Sequence, residues 1–379
     1  MTKMTDIDCL MQPEVHRNSS FELLRIIAIF GIINLHIIGP YLNQITGDNF
    51  LYAVTINVLF NTGVTLFMLI SGYFGIKRSF AKGFKLYSTV IFYSLIGFLI
   101  CAWAFGDKGL LKAILPISTK RHWYITVYFI IFMISPYVNR MLETLSRREY
   151  QSLLCILLYY FYVAPTMLMI EIMEDSGKGL VNLLIVYMIG RYIRLFFDNI
   201  EISKWKLTIF TGFVFTLGIV LNYTYSIKIS HGYWPAPFCR DNSIIILIAG
   251  VAIFLLFKQF SFYSGIINRI AASVFSIYIF EGALRRFIVK YGLFPYTEKL
   301  WIRATVLVIG IMVAVFILEQ IRICLLANVE KSAEKKVEFC FEWIKAAKSR
   351  QVVLILILLL ISLLLPFRAL IIKYIKFLI

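Results

Sequence analysis

Residues 21–40 read FELLRIIAIFGIINLHIIGP. Almost every position is apolar, over a length close to the roughly 20 residues an α-helix needs to cross a bilayer. In hydrocarbon such a stretch must satisfy its own backbone hydrogen bonds, which makes it a helix. The unbroken run also excludes barrel strands, which alternate over short segments. Four positions stand against the apolar pattern: Glu22, Arg25, Asn34 and His36. Polar and ionisable residues inside a span are costly and mark a functional site by default.

Outward from this helix the chain repeats the pattern. Of its 379 residues 60% are apolar and only 16% are charged, against roughly 25% charged in a soluble domain. Apolar runs near 22–40, 53–75, 85–105, 123–141, 151–170, 179–197, 205–224, 243–258, 270–289 and 303–327 predict an all-α, polytopic transmembrane helix bundle of about ten core spans. A polar tail (1–20) precedes the membrane domain (21–327). An amphipathic cytoplasmic segment (328–350) and an apolar C-terminal segment (351–379), interrupted by Pro366, follow it; 351–372 is either an eleventh span or partly re-entrant. Six scattered cysteines show no pairing or metal-ligand spacing and read as small apolar filler.

The net charge of +17 is carried by short loops, where it sets topology, so no nucleic-acid partner is expected. Lys77, Arg78, Lys82 and Lys85, then Arg140, Arg147 and Arg148, then Arg191, Arg194, Lys204 and Lys206 fall in alternate loops. The positive-inside rule then predicts a cytoplasmic N-terminus in a multi-pass cell-membrane protein. Two loops on the opposite side run against the rule: 106–122, with Lys108, Lys112, Lys120 and Arg121, and 285–303, with five basic residues.

Ten residues lie between Arg25 and His36, so the two project from nearly one face of the first helix, about 16 Å apart along its axis. Glu22, three residues before Arg25, is placed to pair with it. A cation low in a groove and an imidazole higher up suit a long ligand with an anionic head. Imidazole is also the side chain that most readily takes a proton near neutral pH. The bland alternatives are an arginine snorkelling to headgroups and a histidine satisfied by a neighbouring helix. The other three histidines are weaker candidates: His16 in the polar tail, His122 at the start of a span and His231 in a loop. No GxSxG, HExxH, GxxxxGK or GxGxxG in a matching context competes for the chemistry.

With these residues in view, the chain over roughly 18–327 resembles the acyltransferase-3 family of bacterial integral membrane acyltransferases. NSSFELLRIIAIFGIINLH (18–36) is similar to the family's first helix, in which an arginine and a histidine stand as Arg25 and His36 do. TLFMLISGYFGIKR (65–78), HWYITVYFIIFMISPYVN (122–139) and AASVFSIYIFEG (271–282) resemble three further family segments, in the family's order. Lys82 and Lys85 stand where the family tends to have two arginines, Glu22 where it usually has aspartate, and Glu281 where many relatives have a histidine. Lysine keeps the attraction for phosphate but loses the bidentate fork.

The resemblance implies an O-acyltransferase with no bound cofactor or metal. Acyl-CoA, most often acetyl-CoA, would be the cytoplasmic co-substrate, and a sugar of a surface polysaccharide or glycolipid the acceptor. His36 and Glu22 become the catalytic candidates, and Arg25, Lys82 and Lys85 the donor-binding ones. His122, Trp123 and Glu281 remain further candidates; Arg285, four residues after Glu281, is placed to pair with it. The alternatives are a transporter or flippase for a lipid-linked saccharide, and a glycan polymerase. The first often carries internal repeats, the second a large outer loop, and the sequence shows neither.

Overall fold

The computed structural model describes residues 18–45, 47–229, 237–292 and 299–346. His16, His231 and the apolar segment 351–379 with Pro366 lie outside the described residues. Among the described residues every regular element is helical.

Helix α1 (Ser19–Ile38) carries the segment quoted above. Asn18 caps it, its Oδ1 accepting from the Ser20 N–H at 3.0 Å, which satisfies one of the donors a helix start leaves unpaired. Ser19 ties the same end to the far part of the chain: its N–H donates to the Phe262 carbonyl at 2.8 Å, and its hydroxyl to Asn268 Oδ1 at 2.9 Å. At the other end Gly39 and Pro40 tighten the chain into a 3₁₀ turn, Gly39–Gln44.

The remaining helices are α2 (Asp48–Phe60), α3 (Thr62–Phe74), α4 (Phe80–Phe105), α5 (Leu110–Ile114), α6 (Trp123–Thr144), α7 (Arg147–Leu158), α8 (Leu180–Phe196), α9 (Lys204–Lys228), α10 (Ile244–Lys258), α11 (Gly265–Ala272), α12 (Val274–Lys290) and α13 (Leu300–Ala346). All but the short α5, which lies in the 106–122 loop, fall on the ten predicted intervals, with finer detail. The second interval is interrupted at Asn61, the fifth passes from α7 into a π-helical stretch, Tyr159–Leu168, and the ninth is α11 and α12 bent by 50°. Among the described residues, counting α2 with α3 and α7 with the π-helical stretch, seven helices are long and apolar enough to cross a membrane, and the bent pair makes eight. α8 and α10, with 17 and 15 residues, are shorter. Helix α13 runs without a break from the tenth interval through the amphipathic one, to Ala346.

Helix α1 lies between two packed cores. Phe21, Leu24 and Ala28 join a core built with α3, α6, α7, α8 and α10, while Ile29, Ile33 and Ile37 join one built with α2, α4, α12 and α13. In the first core α3 and α8 meet backbone to backbone. A Cβ on Gly72 would collide with the Tyr187 carbonyl, and one on Gly190 with that of Leu69. Small residues allow such approach between membrane helices. Facing away from the cores, Trp205, Phe213 and Val220 of α9 and Val306, Val313 and Ile317 of α13 are exposed apolar surface that suits lipid. On α13 the buried charges Glu319 and Arg322 pair with each other and are matched by hydrogen bonds, including one from the Tyr93 hydroxyl at 2.5 Å.

Candidate active site

Between the two cores lies a cavity of about 560 Å³, a volume typical of small-molecule sites. Helix α1 gives it Glu22, Arg25, Ile32, Leu35 and His36. Ser71 of α3, Tyr124 and Tyr128 of α6, and Phe275 and Tyr278 of α12 face them. Arg25 and His36 line this one space although they stand about three helical turns apart. The bend between α11 and α12 helps to open it, because Ala271, Ala272 and Val274 at the bend form part of the wall.

Each end of the cavity carries a buried carboxylate with a close partner. At the start of α1, buried Glu22 accepts from the Arg25 guanidinium. Removal from water is tolerable for the carboxylate because a cation meets it. At the far end His36 Nδ1 lies 2.8 Å from Glu281 Oε1. An ionised carboxylate can only accept, so Nδ1 carries the hydrogen, and in the neutral ring Nε2 is the nitrogen with the lone pair. The second Glu281 oxygen lies 3.6 Å from Arg285 Nε, an ion pair without a hydrogen bond. The pairing expected of Glu281 from helical spacing is therefore the looser of its two contacts. Asn34, polar on the same helix, does not line the cavity: it is buried and donates to the Phe30 carbonyl at 3.1 Å.

His36 also faces a second cavity, of about 360 Å³, together with Trp123 and Tyr278, which line both. Its other walls include Ser94, Arg121, His122, Glu281 and Arg285. His122 Nε2 lies 3.3 Å from the Ser94 hydroxyl. Thus His36, Glu281, His122 and Trp123 come together at the junction of the two spaces, while Glu22 stands with Arg25 at the opposite end. Lys82 and Lys85 are not drawn in. Both are exposed on the first turns of α4, and the next residue, Leu86, is the one on the cavity wall.

Two residues that sequence reasoning did not single out also line the larger cavity: Lys178, between α7 and α8, and Asp241, between α9 and α10. Asp241 is 5% exposed. Burial pushes its carboxyl up to about 7, with Asp175 acting in the same direction and Lys178 and His36 against it. Charges in loops carry no periodic signal, so nothing in the sequence pointed to them. The pair Glu319 and Arg322 was open to the same test as Glu22 and Arg25, being charged residues inside an apolar run.

A family model described as an acyltransferase domain matches residues 18–319, most of the chain. No curated protein and no solved structure matches it. The chain belongs to the acyltransferase-3 family and is a membrane acyltransferase.

Proposed function

We propose that this acyltransferase moves an acyl group, acetyl first among the candidates, from cytoplasmic acyl-CoA to a hydroxyl of a cell-surface polysaccharide or glycolipid sugar. The observation that carries the proposal is the single cavity joining Arg25 to His36, with His36 held by Glu281. The N-terminus and the Arg25 end face the cytoplasm of a cell-membrane protein, following the loop charges. The donor's phosphates are met near Arg25, and its pantetheine arm extends along α1 to bring the thioester towards His36. The axial separation of about 16 Å is of the order of that arm's reach.

The chemistry then follows from the tautomer fixed by Glu281. Nε2 of His36 takes the proton of the acceptor hydroxyl as its oxygen attacks the thioester carbonyl. Glu281 offsets the charge of the imidazolium that forms, as the carboxylate does in a serine-protease triad. The tetrahedral intermediate collapses with cleavage of the carbon–sulfur bond. The thiolate leaves with the proton returned from His36, and the sugar ester remains. Glu281 acts through His36 and is a positioning residue.

Purified protein supplied with acyl-CoA and candidate glycans tests this by loss of acyl-CoA and appearance of the sugar ester. His36→Ala is expected to lower turnover about 10²–10⁴-fold at near-normal protein yield, and His36→Gln not to restore it. A purified His36→Ala protein that transfers at the wild-type rate would show that the site of transfer lies elsewhere.

A further inference from the structure

The second cavity carries more positive charge than the chemistry at His36 requires. Arg121 and Arg285 both line it. The Arg121 guanidinium makes no side-chain hydrogen bond or close ion pair among the described residues and feels Asp107 only at a distance, and Arg285 Nε is buried without a hydrogen bond, its ion pair with Glu281 a loose 3.6 Å. Arg286, also on the wall, is neutralised by a forked pair with Asp107. The one carboxylate on the wall, Glu281, is shared between His36 and the looser Arg285 contact, so a single acidic group faces three arginines there. Arg121, in the loop before α6, and Arg285, near the end of α12, fall in the two stretches whose basic residues run against the positive-inside rule. Topology therefore gives no reason for charge there, whereas a cavity that needs an anion does.

We infer that this cavity is the acceptor subsite, and that Arg121 and Arg285 select a sugar bearing an anionic group, carboxylate or phosphate, near the hydroxyl to be acylated. The inference rests on the reading of His36 as the point of transfer. His36 lies between the two spaces, so a donor thioester in the larger cavity and an acceptor in the smaller one meet on opposite sides of one imidazole. Guanidinium groups suit the task because their planar fork matches both carboxylate and phosphate. Trp123 and Tyr278, shared by the two cavities, offer ring faces to the apolar side of a pyranose while their polar edges stay hydrogen-bond capable.

Equilibrium binding to the purified full-length chain, without donor, tests the subsite apart from catalysis. The probes are glucuronate, glucose 6-phosphate and glucose. The anionic sugars are expected to bind more tightly than glucose, and whichever saturates first identifies carboxylate or phosphate as the group read. Arg121→Gln is expected to weaken that binding about 10-fold or more, the loss typical of a charge-assisted contact. Arg121→Lys should retain part of it, and an unchanged thermal midpoint would exclude misfolding as the cause. Glucose binding as tightly as glucuronate, no binding of either anionic sugar, or indifference to Arg121→Gln would each overturn the subsite. Anionic sugars that bind in this way but are never acylated would instead overturn transfer at His36 and leave the subsite standing.

Discussion

Glu281 and His36 are separated by 245 residues in the chain, yet their side chains meet at 2.8 Å. Glu281 is nearly fully buried and His36 is open to two cavities, so the carboxylate is the fixed partner and the imidazole the accessible one. Glu281→Gln keeps the shape but can turn an N–H towards Nδ1, which favours the tautomer with no lone pair at Nε2. Turnover is expected to fall, by up to about 10⁴-fold as in the equivalent change of a serine-protease triad. The KM for acyl-CoA should stay near wild type, and Glu281→Asp should recover part of the loss. Equal losses in the Gln and Asp variants, tracking protein abundance, would reduce Glu281 to a packing role.

The Glu22–Arg25 pair makes a separable prediction, because binding and folding compete there. Arg25→Gln removes a cation from the donor end of the cavity and leaves Glu22 buried without it. Breaking a buried pair from one side costs about 3–5 kcal/mol, so both the thermal midpoint and donor affinity should fall. In the double variant Glu22→Gln with Arg25→Gln the midpoint should recover while the KM for acyl-CoA stays raised. A double variant with wild-type donor kinetics would confine the pair to folding.

Much of the fold was legible in the sequence because long apolar runs have only one outcome in lipid. The face of α1 joining Arg25 to His36 was legible because helical periodicity is local. What local rules could not supply was the partner from the far end of the chain. Spacing within α12 offered Arg285 to Glu281, and tertiary packing brought His36 closer. The same limit hid Arg121, Lys178 and Asp241, whose loops reach the cavities only once the helices are assembled. Length hid the continuity of α13, since the polar interval after residue 327 ends the apolar run without ending the helix.

Lys82 and Lys85 stay exposed beside the cavity wall rather than on it. Exposed charges contribute roughly 0–1 kcal/mol. Lys82→Gln or Lys85→Gln should therefore raise the KM for acyl-CoA no more than about 5-fold, and the difference should vanish in high salt. Steady-state kinetics at two ionic strengths decide this. A loss as large as that of Arg25→Gln, persisting in salt, would mean that the lysines close over the donor.

Asp241 predicts a pH dependence of stability. Its carboxyl is raised from 3.8 to about 7, so the folded chain prefers it protonated and the unfolded chain gives the proton up sooner. The contribution is fully present below 3.8 and is lost as pH rises through about 7, by roughly 1.4 kcal/mol per pH unit in between. Asp241→Asn removes the titration. Its thermal midpoint should fall less than that of the wild type between about pH 5 and pH 8. Parallel pH profiles would show that the buried carboxylate is compensated by Lys178.

The last prediction fixes the sides on which donor and acceptor arrive. With the N-terminus inside, the start of α4 is cytoplasmic, and the loop after α4, which carries Asp107 and Lys108, is external. Single cysteines at positions 80 and 108 test this in a background where the native cysteines, including exposed Cys155 and Cys324, are replaced by serine. A membrane-impermeant reagent applied to intact cells should label position 108 and spare position 80 until the membrane is opened. Phe80 is 42% exposed, so protection there reflects sidedness rather than burial. Labelling of position 80 in intact cells would invert the molecule. The Arg25 end of the larger cavity would then open outward and the basic cavity inward. The anion met by Arg121 and Arg285 would become the coenzyme A phosphates, and the acceptor would enter beside Arg25.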